Sequence, residues 1–331
     1  MQDGTTVLVD VGMTLAQEKR ALDRFIAHRI FPGFGVKTKQ GNMPRILARR
    51  RVQTVKRNKD GSFNRVESAA DELSYSCEGA GLEERLPDED RVHFSSAFDA
   101  EFHVALGIQR DLLRSRDVAL STALFTTGTF GAGYNAAAIG TWGGGSSNPL
   151  KDVELGKEEI RKRLGVFPNK MAIGAALWAK ASYDPAILAQ VKTLRAYAGD
   201  IGANRSRIPL EVLADVFGLE EIIVGEEVKD TSAEGQSSSL SDIWAGTFGL
   251  LFYGTNTPEN MGDVTLGRTL TWNPYLEQST QGSDLSELDA ELLFIVDKYR
   301  ENKTKADIIR VEEFNTMKLL NKDAGYLLTG C

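Results

Sequence analysis

Apolar positions change their spacing several times along the chain, and the changes divide it into modules. Between Thr14 and Ile30, Leu15, Leu22, Phe25, Ile26 and Ile30 recur at roughly helical spacing, until Pro32, Gly33 and Gly35 of FPGFG end any helix. This predicts an N-terminal arm with one short helix. From Arg45 to Val66 large apolar residues are few, and the Asp-Gly pair within NKDGS, Asn58 to Ser62, favours a tight turn between RVQTVK and Phe63 to Val66. The expected element is a two-stranded hairpin without a core of its own, which must project and lean on something else.

Helical spacing returns after Pro87, where Asp88, Glu89 and Asp90 suit the positive end of a helix dipole. Ser95 to Phe125 carries Phe98, Phe102, Ala105, Leu106, Leu112, Leu113, Ala119 and Leu120, which predicts a long amphipathic helix acting as a structural spine. Seven glycines between Thr126 and Asn148 then predict a flexible crossing, with Gly143, Gly144 and Gly145 as hinge candidates. A mixed α/β pattern follows. Helices are expected over Pro149 to Leu164, Ala175 to Lys180, Pro185 to Leu194 and Leu210 to Phe217, with strands at Lys170 to Gly174 and Glu221 to Val224. Beyond the Ser- and Gly-rich loop Lys229 to Ser241 and the apolar run Ile243 to Tyr253, two strands, Glu291 to Tyr299 and Lys305 to Phe314, flank the polar turn RENKTK. The class is α+β.

Charge sharpens this picture. The segment from Arg45 to Arg65 holds eight Lys or Arg and one acid, a net of +7 in a chain whose net charge is −7. Glu67 to Glu101 then sets eleven acids against Arg85 and Arg91, a net of −9. Adjacent blocks of opposite sign can fold together or find complements on another copy of the chain. With 42% hydrophobic and 26% charged residues, the composition is that of an ordinary globular protein. The longest nearly apolar run is far short of the roughly 20 residues of a membrane-spanning helix, and no leader pattern opens the chain, so neither a membrane nor an export address is expected.

Little in the sequence points to catalysis. His28, His93 and His103 lack ligand spacing, and Cys77 and Cys331 are expected to be free thiols, so no metal or cofactor is expected. The glycine-rich stretch has no lysine between Arg116 and Lys151, which excludes a Walker loop, and its G-x-x-G-x-G spacing is not the dinucleotide fingerprint. No GxSxG elbow is present. A nucleic-acid grip by the basic segment would want stacking aromatics, and only Phe63 is available.

In this order of parts, Asn148-Pro149 follows the glycines, and FPNKMAIGAALW, Phe167 to Trp178, leads through a turn into a strand and a Trp-bearing helix. The late block DAELLFIVDKYRENKTKADIIRVEEF spans Asp289 to Phe314. Together they resemble the major capsid proteins of tailed bacteriophages, with the Hong Kong 97-type fold. The resemblance implies an N-terminal arm (1–37), an extended loop (38–80), a peripheral domain with the spine helix (81–141 and 271–331) and an axial domain (142–270). It implies a non-enzymatic protein of the virion, assembled in the host cytoplasm as pentamers and hexamers of an icosahedral shell around double-stranded DNA, which it encloses without sequence-specific binding. Scaffolding, portal and decoration proteins are the implied partners. The modest negative charge suits a DNA container, because a basic lining would grip phosphates. Arg49, Arg50, Arg51, Lys56 and Arg57 are the expected intersubunit contacts, meeting acids such as Glu83, Glu84, Asp88 and Glu89 of a neighbour. The alternatives are an encapsulin-like compartment enclosing protein cargo and, from another class, a nucleic-acid-binding protein using the basic hairpin.

Overall fold

A computed structural model describes residues 24–46, 55, 70–94, 99–193, 207–233, 235–255, 264–274 and 294–331. In chain order the described elements open with helix α1 (Ala27–Ile30), strands β1 (Gly33–Gly35), β2 (Gln40–Ile46), β3 (Ala70–Ser76) and β4 (Glu78–Pro87), and helices α2 (Asp88–Phe94) and α3 (Ala100–Leu124). Next come β5 (Asn135–Ala137), α4 (Pro149–Leu164), β6 (Lys170–Gly174), α5 (Ala175–Tyr183), α6 (Pro185–Thr193) and α7 (Leu210–Phe217). The last third holds β7 (Glu221–Gly225), β8 (Val228–Asp230), β9 (Leu240–Asp242), β10 (Phe248–Phe252), β11 (Gly267–Thr271), β12 (Ile295–Glu301), β13 (Ala306–Leu319) and β14 (Gly325–Thr329).

The spine helix α3 begins later than its apolar spacing predicts because Asp99 caps it, accepting the backbone N–H groups of Glu101 and Phe102. Helix α4 has the expected bounds. Asn148 accepts the Lys151 N–H, Pro149 occupies the first turn, and Gly165 closes the helix at φ +85°. Asp152 near its start and Arg161 to Arg163 near its end also complement its dipole.

Two five-stranded sheets carry the body. In the first, the order is β1-β11-β13-β12, with β4 paired to the opposite edge of β13 over Pro87↔Ala306 to Glu78↔Asn315. The second has the order β5-β14-β10-β6-β7. Alternation along its strands sends Met171, Ile173, Ile222, Leu251 and Leu328 into one cluster under helices α4 to α7. Ala172, Ile223, Leu250, Phe252 and Leu327 enter another cluster with Leu120 and Leu124 of the spine and Ile26, Ile30 and Phe31 of the arm.

Strand pairing runs across the order of the chain. Strand β14 lies between β5 and β10 in the second sheet, so the described part of the segment 271–331 is shared between the two sheets. Its apolar core, with Leu327 and Leu328 buried on opposite faces, fits only a strand covered on both sides. Conversely, β11 belongs to the first sheet although it precedes residue 271.

Candidate assembly surfaces

Strands β2 and β3 form an antiparallel ribbon in a sheet of their own, in register from Gln40↔Ser76 to Ile46↔Ala70. Among the described residues, its root is packed. Met43 and Tyr75 are buried with Val36, Cys77, Leu270 and Leu320, and the Tyr75 hydroxyl lies 3.1 Å from the Thr38 hydroxyl. Asp71, Glu72 and Ser74 are exposed. The predicted turn at 58–62, its flanks, and Arg49, Arg50, Arg51, Lys56 and Arg57 lie outside the described residues.

The ribbon runs through Cys77 into β4, where every residue from Glu78 to Arg85 is exposed. The four candidate acids are divided by the structure. Glu83 accepts from Arg310 at 2.9 Å and from the Tyr299 hydroxyl at 3.3 Å. Asp88 takes both terminal nitrogens of Arg300, at 2.5 and 2.6 Å, which hold its carboxyl below the usual range. Glu84 and Glu89 are exposed, and no described residue forms an ion pair with either.

An ion-pair network missed from the sequence surrounds Asp307 on β13. Arg91 of α2 approaches it at 2.8 Å, and Lys298 and Arg300 of β12 at 3.2 and 3.0 Å; Lys298 also bridges to Glu101 at 2.6 Å. Burial alone would raise the Asp307 pKa, but hydrogen bonds from Arg300 and Lys298 hold it below its ordinary value. Glu83, Asp88 and Glu101 of the −9 block are thus paired within their own chain, by Arg310, Arg300 and Lys298 some 200 residues further on.

Buried polar groups fasten the modules together. Asp117 of the spine accepts the Ala27 N–H at 2.9 Å, the Ile26 N–H at 3.3 Å and the Trp244 indole N–H at 3.0 Å, joining the arm to the second sheet. Burial pushes its pKa up. Arg116 clasps Glu313 through two bonds of 2.5 and 3.2 Å, both side chains being under 10% exposed. Arg29 of the arm and Lys170 of β6 converge on Glu221 at 2.5 and 3.0 Å.

The crossing is a tied turn. Gly143 stands at φ +84° and donates its N–H to Asp184 at 3.0 Å, and Ser147 donates its hydroxyl to the same carboxylate. Gly144 donates to the Thr141 carbonyl, and the buried Trp142 donates its indole N–H to Asp152. A Cβ at Gly143 would stand 3.1 Å from the Lys180 carbonyl, so close approach, together with the positive φ, accounts for glycine there. Gly145 meets no neighbour of this kind.

The Ser- and Gly-rich loop is likewise organised. It springs from the β8–β9 pair, and Asp230 accepts from the Ser232 N–H and hydroxyl, the Ser238 hydroxyl and the Ser239 N–H, which hold its carboxyl well below the usual range. Cys77 and Cys331 are buried free thiols, with burial pushing Cys331 up to about 12. Among the described residues, no three His, Cys, Asp or Glu side chains gather as a metal site, and no helix is long and apolar enough to cross a membrane.

No family model matches the sequence. It is 27% identical over 184 residues to the major capsid protein of Burkholderia phage BcepMu, a span covering 56% of this chain and 50% of that one. The matched part is thus about half the length of that curated relative. A crystal structure of a phage-related protein from Bordetella bronchiseptica RB50 superposes with a TM-score of 0.70 at 21% identity, over 98% of both chains. The mature capsid of bacteriophage PhiM1 gives a TM-score of 0.51 at 13% identity, over 89% of this chain and 84% of that one. The chain has the Hong Kong 97-type capsid fold.

Helix α3 packs against residues of both sheets and of the arm. The exposed acids were visible as a charge run and the crossing as a run of glycines, but the anchoring of that crossing by Asp184 was not. Asp117, Arg116, Glu313 and Asp307 were not, because a buried charge looks like any surface charge until its distant partner is placed.

Proposed function

We propose that this chain is a major capsid protein, a structural and non-enzymatic subunit that assembles with copies of itself into an icosahedral shell enclosing double-stranded DNA. One observation carries the reading: a capsid fold matched over almost its whole length presents a two-stranded ribbon whose described packing is at its root. Two strands without a second layer are marginal in water, so the ribbon needs a surface on a neighbour. The same patches repeated by symmetry then close a shell.

In this reading the first sheet with the spine is the peripheral domain and the second sheet the axial domain, whose Asp230 loop faces the centres of pentamers and hexamers. Arg49, Arg50, Arg51, Lys56 and Arg57 reach acids of an adjacent subunit. Glu84 and Glu89 are the natural recipients, while Glu83 and Asp88 also serve their own chain. Gly143 to Gly145 act as an elbow between the domains. Assembly takes place in the host cytoplasm, and scaffolding, portal and decoration proteins join the particle.

Electron microscopy of the expressed protein, alone and with a co-expressed scaffolding partner, tests the proposal. Closed shells or capsomers are expected; their absence under all assembly conditions would remove it. Reversing Arg49, Arg50 and Arg51 to Glu should lower the yield of shells, and the yield should fall with salt in the parent chain.

A further inference from the structure

Leu86 of β4 and Ala100 of the spine are buried in the same apolar cluster, and between them none of the described side chains is buried. Helix α2 occupies that interval. It follows β4 without a break, so it stands where the strand returning from the ribbon passes over to the spine. Asp88 is half-buried, and Glu89, Asp90, Arg91, Val92 and His93 are exposed, Val92 at 74%. Short length does not account for this. Helix α1 has only four residues, yet it buries Ala27 and Ile30.

Among the described residues, charge rather than apolar burial ties α2 to the body. Asp88 takes both terminal nitrogens of Arg300, and Arg91 reaches Asp307 at 2.8 Å and Glu101 at 3.5 Å. Arg300 and Lys298 hold the same Asp307 from β12, and Lys298 also holds Glu101. Three acids thus meet three cations, and the group is neutral as a whole. A single backbone bond adds to it, from the Asp88 N–H to the Lys305 carbonyl in the β12–β13 turn at 3.2 Å.

Such anchoring is conditional. A helix of seven residues does not hold in water by itself, because nucleation is costly, so α2 persists through its contacts. Asp88, Arg91 and Arg300 are each more than a third exposed, and ion pairs of that kind weaken as salt screens them. The screening length falls from about 30 Å at about 0.01 M salt to about 3 Å at about 1 M, which is the contact distance itself. Helix α4 is the internal contrast. It carries the exposed pairs Glu158–Arg161 and Glu159–Lys162 but also buries Val153 and Ile160, so the same screening leaves it in place.

The geometry points to α2 as an ion-held clasp: it stays docked on the first sheet at low ionic strength and lets go at high ionic strength, while both sheets and the spine stay folded. Release puts slack between β4 and the spine, since seven residues span about 10 Å as a helix and about 23 Å extended. The first sheet can then change its angle to the spine without losing a strand pair. The device belongs to the subunit itself and does not depend on the shell reading.

Spin labelling of the full chain before assembly tests the clasp. Val92→Cys carries the label on α2 and, in a separate chain, Leu155→Cys carries it at an exposed position of α4; Cys77 and Cys331 are buried and remain in place. Raising NaCl from about 0.02 M to about 1 M should shift the Val92 spectrum from a slow to a fast component and leave that of Leu155 unchanged. Arg300→Gln, which removes the partner of Asp88 and leaves the sequence of α2 intact, should give the fast component already at low salt. A Val92 spectrum that does not respond to salt, slow or fast throughout, would overturn the clasp, and so would an equal shift at both labels. A folded Arg300→Gln chain that stays slow at low salt would overturn it too. The salt series needs no change to the network, so it decides the matter even where Arg300→Gln does not fold. Shell formation is read separately by microscopy, and the loss of either reading leaves the other standing.

Discussion

Arg116 and Glu313 illustrate how single residues hold this molecule in ways a sequence hides. Both are almost fully buried, so removing one partner strands the other charge. Arg116→Met should lower the free energy of unfolding by about 3–5 kcal/mol, whereas Arg116→Met with Glu313→Leu should recover most of the loss, as read by urea denaturation of the unassembled subunit. The buried acids respond to pH with opposite signs. Asp307 is held below its ordinary value, so its contribution is complete above the unfolded-state value and is lost as pH falls through the folded one. Asp307→Asn should therefore make acid unfolding shallower. Asp117 is pushed above its ordinary value, so the fold favours its neutral form and its contribution declines as pH rises through that raised value. Asp117→Asn, which keeps one acceptor oxygen, should remove that decline, which sets in as pH rises above the ordinary carboxylate range, measured as the thermal midpoint against pH. The roles of Arg116 and Asp117 were not legible, because each depends on a partner about 90 to 200 residues away, while Asp307 meets Lys298 and Arg300 only through the pairing of β12 with β13.

At the scale of elements, legibility followed locality. Helix α4 could be read to the residue because Asn148, Pro149 and Gly165 carry its start and stop chemistry within its own span. The spine was legible as an apolar stripe, but its first turn was misplaced because Ser95 to Phe98 continue that stripe ahead of the Asp99 cap. The glycine crossing was legible as a break, but not as a turn anchored by Asp184, which belongs to another module. Gly156 of α4 shows the same limit. In isolation it only weakens a helix, yet a Cβ there would come within 2.5 Å of Leu251 and 3.0 Å of Tyr326. Gly156→Ala should therefore destabilise by about 1–3 kcal/mol through overpacking, despite a gain of roughly 1 kcal/mol in helix propensity; chemical denaturation gives the sign directly.

For the whole molecule, the order of modules was legible and their closure was not. Arm, ribbon, spine and α/β module follow the chain, but strand β14 crosses back to lie between β5 and β10. A run of five mostly apolar residues is as compatible with one sheet as with the other, and only pairing partners nearly 80 and 190 residues upstream decide. That placement has a consequence for synthesis. A chain emerging from the ribosome can form its spine and helices early, but β5 and β10 stay separated by a vacant strand position until residue 329 has cleared the exit tunnel. Strand pairing at such sequence separation is slow to close. The second sheet is thus the late event in folding, completed only when a strand far along the chain inserts between two partners made long before it.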